Sequence, residues 1–264
     1  MKKEVNSYSA LNLFFIGMIA CFAFLQCEQK TIDTTASDTT AITETSEISD
    51  SSNGIRTLMV GGGESHDFDT WFKMADTQTL QEGGLSTVVY TDNTDSIIHY
   101  LPDADVLYLT NNQAIADPKA REAIFDFLEA GKGLVLGHAA LWYNWEDWPE
   151  YNQQIASGGS RGHDKYGAFD VQITDTDHPV TQGVEPKFTL KDELYYFKVD
   201  EKGPGIEVLA TASTEGSEEF PSVFVVKNPN TRIVGIALGH DGESHNLDAY
   251  KTLLKNALVW VSEN

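Results

Sequence analysis

Residues 58–68 read LMVGGGESHDF. A short apolar run meets three glycines and then a charged turn carrying His66. Such a run, bounded by glycine, predicts a buried β-strand. Behind the turn, residues 70–80 carry Trp71, Met74, Ala75 and Leu80 at helical spacing. The first unit is therefore strand, turn, helix. Glycine turns in that position often cradle phosphate, but this one lacks the parts. A dinucleotide fingerprint needs Gly-x-Gly-x-x-Gly, and a Walker loop needs Gly-Lys-Ser/Thr. Here His66 stands where the last fingerprint glycine would be, and no lysine follows the glycines. Glu64, Asp67 and Asp69 also put negative charge where a phosphate would sit. The expectation is no nucleotide, and glycines that permit a tight turn presenting His66.

The pattern continues outward. Residues 86–90 and 104–110 read as strands, the second apolar enough to be buried on both faces. Asp117 and Pro118 open a helix as N-cap and first helical residue. Its apolar stripe is Ala120, Ile124, Phe127 and Leu128, and it stops at Gly131. Residues 133–138 form the next strand. Strands alternating with helices at this spacing predict a parallel sheet. The second half is β-rich, with strands expected at 169–173, 194–197, 207–210, 222–226 and 232–238 and a closing helix at 247–261. Residues 157–164, SGGSRGHD, read as a flexible loop. The predicted class is α/β, an open and mostly parallel sheet with a β-rich second half.

The N-terminus carries a different message. Lys2 and Lys3 precede an apolar run from Leu11 to Leu25, and Cys27 follows. The run is shorter than the ~20 residues of a spanning helix and suits a secretory signal. Residues 1–27 resemble a bacterial lipoprotein signal peptide with Cys27 lipidated. Cys21 has the better preceding residue in Ala20, but cleavage there would leave Phe22 to Leu25 as an apolar stub. Residues 28–54 are rich in Ser and Thr and predict a disordered linker. Residues 55–264 have the size of one domain. The expected location is the bacterial cell envelope, periplasmic or surface-exposed, with the membrane touched only through the lipid anchor. The chain's only two cysteines are Cys21 and Cys27, so residues 55–264 have no thiol. A formal net charge of −22, from 18 basic and 40 acidic residues, argues against a nucleic-acid partner.

Three predicted strands end alike. Val60 leads through the glycines to His66, Leu136 to Gly137 and His138, and Leu238 to Gly239, His240 and Asp241. Ligands of open α/β sheets bind outside the carboxyl ends of the strands, so these imidazoles are candidates to share one crevice.

The stretches GGGESHDF (61–68), GKGLVLGHAALW (131–142), DHPVTQG (177–183), KDELYYF (191–197), IVGIALGHD (233–241) and NALVW (256–260) occur in that order. Together they resemble the ThuA-like family, named for trehalose utilisation. The resemblance implies a flavodoxin-like sheet similar to class I glutamine amidotransferases and a role on carbohydrates, keto-sugars or glycosides. In the amidotransferases a cysteine nucleophile follows the central strand and a histidine follows a late one. His138 and His240 hold those places here. Without a thiol no thioester forms, which excludes glutaminase chemistry.

Carboxylates complete the candidate site. Asp192 and Glu193 match the family's Asp-Glu-Leu-Tyr motif and are expected to start the strand that follows. The catalytic candidates are His138, His240, Glu193 and Asp241. His66, His138, His240 and Glu193 suit a divalent metal, zinc foremost; metal-free acid/base catalysis uses the same groups. Trp142, Tyr143 and Trp145 either stack on sugar rings or pack beneath a loop, with Asn144, Glu146 and Asp147 available to hydroxyls. Arg161 and His163 are candidates to close over a substrate. A carbohydrate-binding lipoprotein without catalysis is the alternative reading, and oligomeric state is not legible.

Overall fold

A computed structural model describes residues 54–143 and 145–263. The expected signal peptide and linker, with Cys21 and Cys27, and also Asn144 lie outside the described residues. The apolar run before the glycines is β1 (Ile55–Val60). The further strands are β2 (Ser86–Thr91), β3 (Val106–Leu109), β4 (Gly133–Gly137), β5 (Gly158–His163), β6 (Gly167–Ile173), β7 (Lys187–Asp192), β8 (Tyr195–Val199), β9 (Ile206–Ser213), β10 (Phe220–Val226) and β11 (Ile233–Ile236). Nine of them form one sheet in the order β2-β1-β3-β4-β11-β10-β9-β6-β7. Pairing is parallel from β2 to β11 and antiparallel from β11 to β7. The expected open α/β sheet with its β-rich second half is the fold of this chain.

Alternation along the strands explains the two cores. Met59, Tyr108 and Val135 face one side, where the Asp248–Ser262 helix packs with Leu253, Leu254, Ala257 and Leu258. Leu58, Leu107, Leu109, Leu134 and Leu136 face the other, against the Pro118–Glu129 helix. Both faces are covered, which is why these strands read as unbroken apolar runs.

The helix expected at 70–80 is instead a π-type segment, Phe68–Asp76, continued by an α-helix, Thr77–Gln81. Phe68, Phe72 and Asp76 are its buried residues. Positions four apart drift round a helix of 3.6 residues per turn and stay in line when the turn is wider. The wide winding keeps a buried carboxylate on the same face as two phenylalanines.

Two local expectations are corrected. Residues 158–163 are not a flexible loop: they are β5, paired antiparallel with β8. Their glycines permit close approach. A Cβ at Gly158 would lie 2.3 Å from the Lys198 carbonyl oxygen, and one at Gly159 would lie 2.7 Å from Tyr143. Asp192 and Glu193 do not start a strand together. Asp192 ends β7, and Glu193 lies in the link to β8.

Candidate functional site

Register places the three histidines. Val60 pairs with Leu109, Leu109 with Leu136, and Gly137 with Ile236. The carboxyl ends of β1, β3, β4 and β11 thus share one edge. His138 directly follows β4, and His240 lies four residues beyond its neighbour β11. His66 comes from β1, two strands from β4, so its turn must cross about 9–10 Å. Gly62 (φ 99°), Gly63 (φ 133°) and Ser65 (φ 69°) make that crossing in conformations that favour glycine. The Asn112 amide brackets the turn, accepting from the Glu64 N–H and donating to the Glu64 carbonyl, both at 2.9 Å. A Cβ on Gly63 would fall 1.7 Å from the Asn112 Oδ1. The turn presents His66.

Glu193 reaches the same place from the far edge of the sheet. Four strand spacings separate β7 from β11, about 19 Å on a flat sheet. Yet Asp192, at the end of β7, accepts the Gly239 N–H at 2.8 Å, together with the His240 N–H and the Ser244 hydroxyl. The antiparallel half therefore coils round, in the sense that strand twist drives, and lays Glu193 against the histidines. Asp192 is fully buried and fixes the turn that carries His240. Its neighbour's role drew attention in the sequence and its own did not; a polar residue closing an alternating strand was the available signal.

One ligand atom from each of His66, His138, Glu193 and His240 lies within 4.8 Å of all the others. Glu193 Oε2 is 3.3 Å from His240 Nδ1 and 3.7 Å from His138 Nε2. Each remaining nitrogen of two rings is committed: His66 Nδ1 to the Glu64 carbonyl at 3.0 Å, and His138 Nδ1 to the Ala237 carbonyl at 2.7 Å. Those bonds fix the tautomers and leave Nε2 as a lone pair on both. His66 Nε2, His138 Nε2 and His240 Nδ1 are buried without a hydrogen-bond partner. Unsatisfied buried polar atoms are uncommon in native proteins, and three facing one carboxylate fit a four-ligand divalent cation. Burial, with His138 next to it, pushes His66 down to about 4, so its ring is neutral near pH 7. Burial tends to raise Glu193, but His138 and His240 outweigh it and hold the carboxyl well below the usual range. The same carboxylate raises His240.

A cavity of about 500 Å³ opens beside the cluster, lined by Asn112, Gln113, Trp142, His163 and Tyr195 together with His66 and Glu193. Tyr195 stacks on His138 with centroids 4.1 Å apart. Of the expected substrate contacts, Trp142 and His163 line this cavity, and His163 Nδ1 lies 3.7 Å from Glu193 Oε1. Arg161 stacks on Tyr143 at 3.1 Å, and the Tyr143 hydroxyl donates to Asp200; neither residue is in the cavity lining. Trp145 is a correction. It is 4% exposed, packs on Trp148 and Tyr151, and belongs to the core beneath the loop. Asp241 lies outside the four-residue cluster; its carboxylate accepts the Glu243 N–H at 2.9 Å and caps the short Gly242–His245 helix.

A flavodoxin-like, mostly parallel sheet with three imidazoles and a carboxylate converging beyond its strand ends defines the class. A family model described as ThuA, trehalose utilisation, matches residues 46–261, and the chain belongs to that family. Among solved structures, a ThuA-like protein from Parabacteroides merdae shares 23% identity at a TM-score of 0.69, over 79% of this chain and 90% of that one. A ThuA-like protein from Bacteroides uniformis shares 20% at 0.65, over 78% and 91%. A cytoplasmic protein from Salmonella typhimurium LT2 shares 14% at 0.59, over 78% and 99%. No curated protein matches the sequence.

Proposed function

We propose that this protein processes an uncharged sugar, a keto-sugar or its glycoside, at a divalent metal held by His66, His138, His240 and Glu193, with zinc foremost. The observation that carries the reading is the set of three buried, partnerless imidazole nitrogens around one carboxylate. A bound cation of this kind supplies Lewis-acid polarisation of a carbonyl or hydroxyl oxygen. The family's description supports a carbohydrate. Trp142 and Tyr195 give the cavity aromatic walls for the apolar faces of a sugar ring, and Asn112 and Gln113 offer polar groups nearby. None of the described lining residues is Lys or Arg, which favours an uncharged sugar over a sugar phosphate.

A keto group acidifies the neighbouring C–H. His163 is the cavity imidazole outside the four-residue cluster and is partly exposed, so it is placed to accept that proton. The C–H electron pair becomes the new C=C, the glycosidic C–O bond at the adjacent carbon breaks, and the proton passes to the departing alkoxide. Tyr195, stacked on His138, and Trp142, edge-on to Tyr195, form one aromatic wall. We place the protein at the cell envelope on the strength of its N-terminal pattern. Radiolabelled palmitate should enter wild type and Cys21→Ser and be absent from Cys27→Ser; label retained by Cys27→Ser moves the anchor to another residue, and wild type without label removes it.

Elemental analysis of wild type beside His66→Ala/His240→Ala tests the centre. About one metal ion per chain in wild type and none in the double variant is expected. Turnover of an unphosphorylated keto-glycoside, followed by mass spectrometry, tests the chemistry. Tight sugar binding without any product would instead establish the non-catalytic, carbohydrate-binding reading.

A further inference from the structure

Below the Gly239–His240 turn lies a second histidine–carboxylate group that the proposed chemistry does not use. Asp76 and His245 are each 1% exposed. His245 Nδ1 lies 2.6 Å from Asp76 Oδ1, and His245 Nε2 lies 3.0 Å from the Gly239 carbonyl. Asp76 Oδ2 accepts the hydroxyls of Tyr108 at 2.8 Å and Tyr250 at 3.2 Å. With both hydroxyls on Oδ2, Oδ1 is left to face the His245 ring. A carbonyl oxygen only accepts, so Nε2 carries a proton. With a carboxylate oxygen 2.6 Å from Nδ1, that nitrogen carries one as well. Burial alone would lower His245, but Asp76 outweighs it and the group is raised.

The pair also joins the two loops that bring histidines to the cluster. Asp76 ends the segment that begins just after His66, and Phe72 of that segment packs edge-on against both His245 and His66. His245 ends the short helix that begins just after His240. Trp71 stacks on the His245 ring, and a Cβ on Gly242 would meet Trp71 at 2.6 Å. Gly239 is held from both of its polar groups, its N–H by Asp192 and its carbonyl by His245.

We infer that Asp76 and His245 form a buried ion pair that positions His240, and through the Phe68–Asp76 segment His66, for the four-residue cluster. They are positioning residues, since neither is one of the four ligand candidates. The functional meaning of the inference rests on the proposed metal centre; its chemistry does not.

The test uses the whole chain. Ring-nitrogen NMR of histidine-labelled wild type should show one imidazole, assigned to His245 by its loss in His245→Gln, with both nitrogens protonated at pH 8. A single protonated nitrogen overturns the ion pair, and this reading needs no variant beyond the one used for assignment. Cobalt(II) then serves as the metal probe. Asp76→Asn and His245→Gln should weaken its binding by roughly 10–100-fold, the cost of losing a ligand's supporting partner, and shift its d–d absorption. Leu128→Ala, on the opposite face of the sheet, controls for destabilisation alone and should leave affinity and spectrum unchanged. Unchanged cobalt affinity and spectrum in both site variants overturn the positioning role. If wild type takes up no cobalt or zinc, the metal reading fails by itself. The positioning role is then read from the His240 ring proton resonance, which should move in His245→Gln and stay in Leu128→Ala; a fixed resonance overturns it.

Discussion

Two histidine–carboxylate groups flank one turn, and the difference that matters is how far their polar atoms are satisfied. Around Asp76 every polar atom has a partner: both His245 nitrogens, both carboxylate oxygens and two tyrosine hydroxyls. Around Glu193 three imidazole nitrogens have none. The Asp76 pair is the more buried, with side chains at 0–1% exposure against 17% for Glu193 and 21% for His240, yet the His138 ring of the open group is as buried as His245. Proximity of opposite charge does not separate them. Unmet hydrogen-bonding capacity does, and it costs free energy in a folded protein. A closed network accounts for itself as structure, whereas an open one calls for a ligand.

The hardest blow to this contrast comes from Glu193→Gln. It keeps the size of the side chain and removes the charge that the three nitrogens face. Metal affinity should fall by more than the roughly 10–100-fold of a lost supporting partner, while thermal stability stays close to wild type. A variant that loses thermal stability while its folded fraction binds metal as tightly as wild type would show that Glu193 belongs with the structural group instead.

Trp145→Ala sharpens the contrast on the aromatic side. Trp145 is in the core with Trp148 and Tyr151, so truncation should cost about 3–5 kcal/mol of stability in chemical denaturation. Metal content of the folded fraction should be unchanged. A loss of metal at unchanged stability would mean that Trp145 serves the cavity after all.

The strand–turn–helix order, the parallel half of the sheet and the three histidines were legible because each is local. An apolar run, a glycine turn and a histidine after a strand announce themselves within ten residues or so. Glu193 beside His240 was suggested by a motif, but its path was not: β7 reaches the β11 turn only because the antiparallel half coils. Trp142 and Trp145 read alike in sequence, three residues apart in one aromatic stretch, and only tertiary packing separates them. Residues 158–163 misled because glycine signals both flexibility and close approach, and here Lys198 and Tyr143 decide for the second. Asp76 and His245 are separated by 169 positions, and nothing local ties them together.

Acid titration probes the open group from another side. His66 is pushed down to about 4, below the ~6.5 of an exposed imidazole. Between those values the unfolded chain binds a proton that the folded chain does not, so stability falls as pH falls through that window. The cost is on the order of 3 kcal/mol. His240 is raised by Glu193, and its contribution runs the other way, present at low pH and lost as pH rises. Comparing metal-free wild type with His66→Ala isolates the first effect: the variant should lose less stability between pH 7 and pH 4. Parallel curves would mean that His66 is already solvated in the absence of a ligand.

The smallest effect belongs to Trp142→Ala. Trp142 lines the cavity, edge-on to His163 and Tyr195 with centroids 5.6 and 5.5 Å away. One aromatic wall contributes about 0.5–1.5 kcal/mol beyond its buried area, so sugar binding by calorimetry should weaken by roughly two- to twelvefold. Metal content should not change, because Trp142 is outside the four-residue cluster. The comparison with Trp145→Ala is then complete: one tryptophan changes binding and leaves stability nearly intact, and the other does the reverse. If both variants lose stability to the same extent and neither alters sugar affinity, the aromatic stretch is packing throughout, and the sugar must be held from the Asn112 and Gln113 side of the cavity.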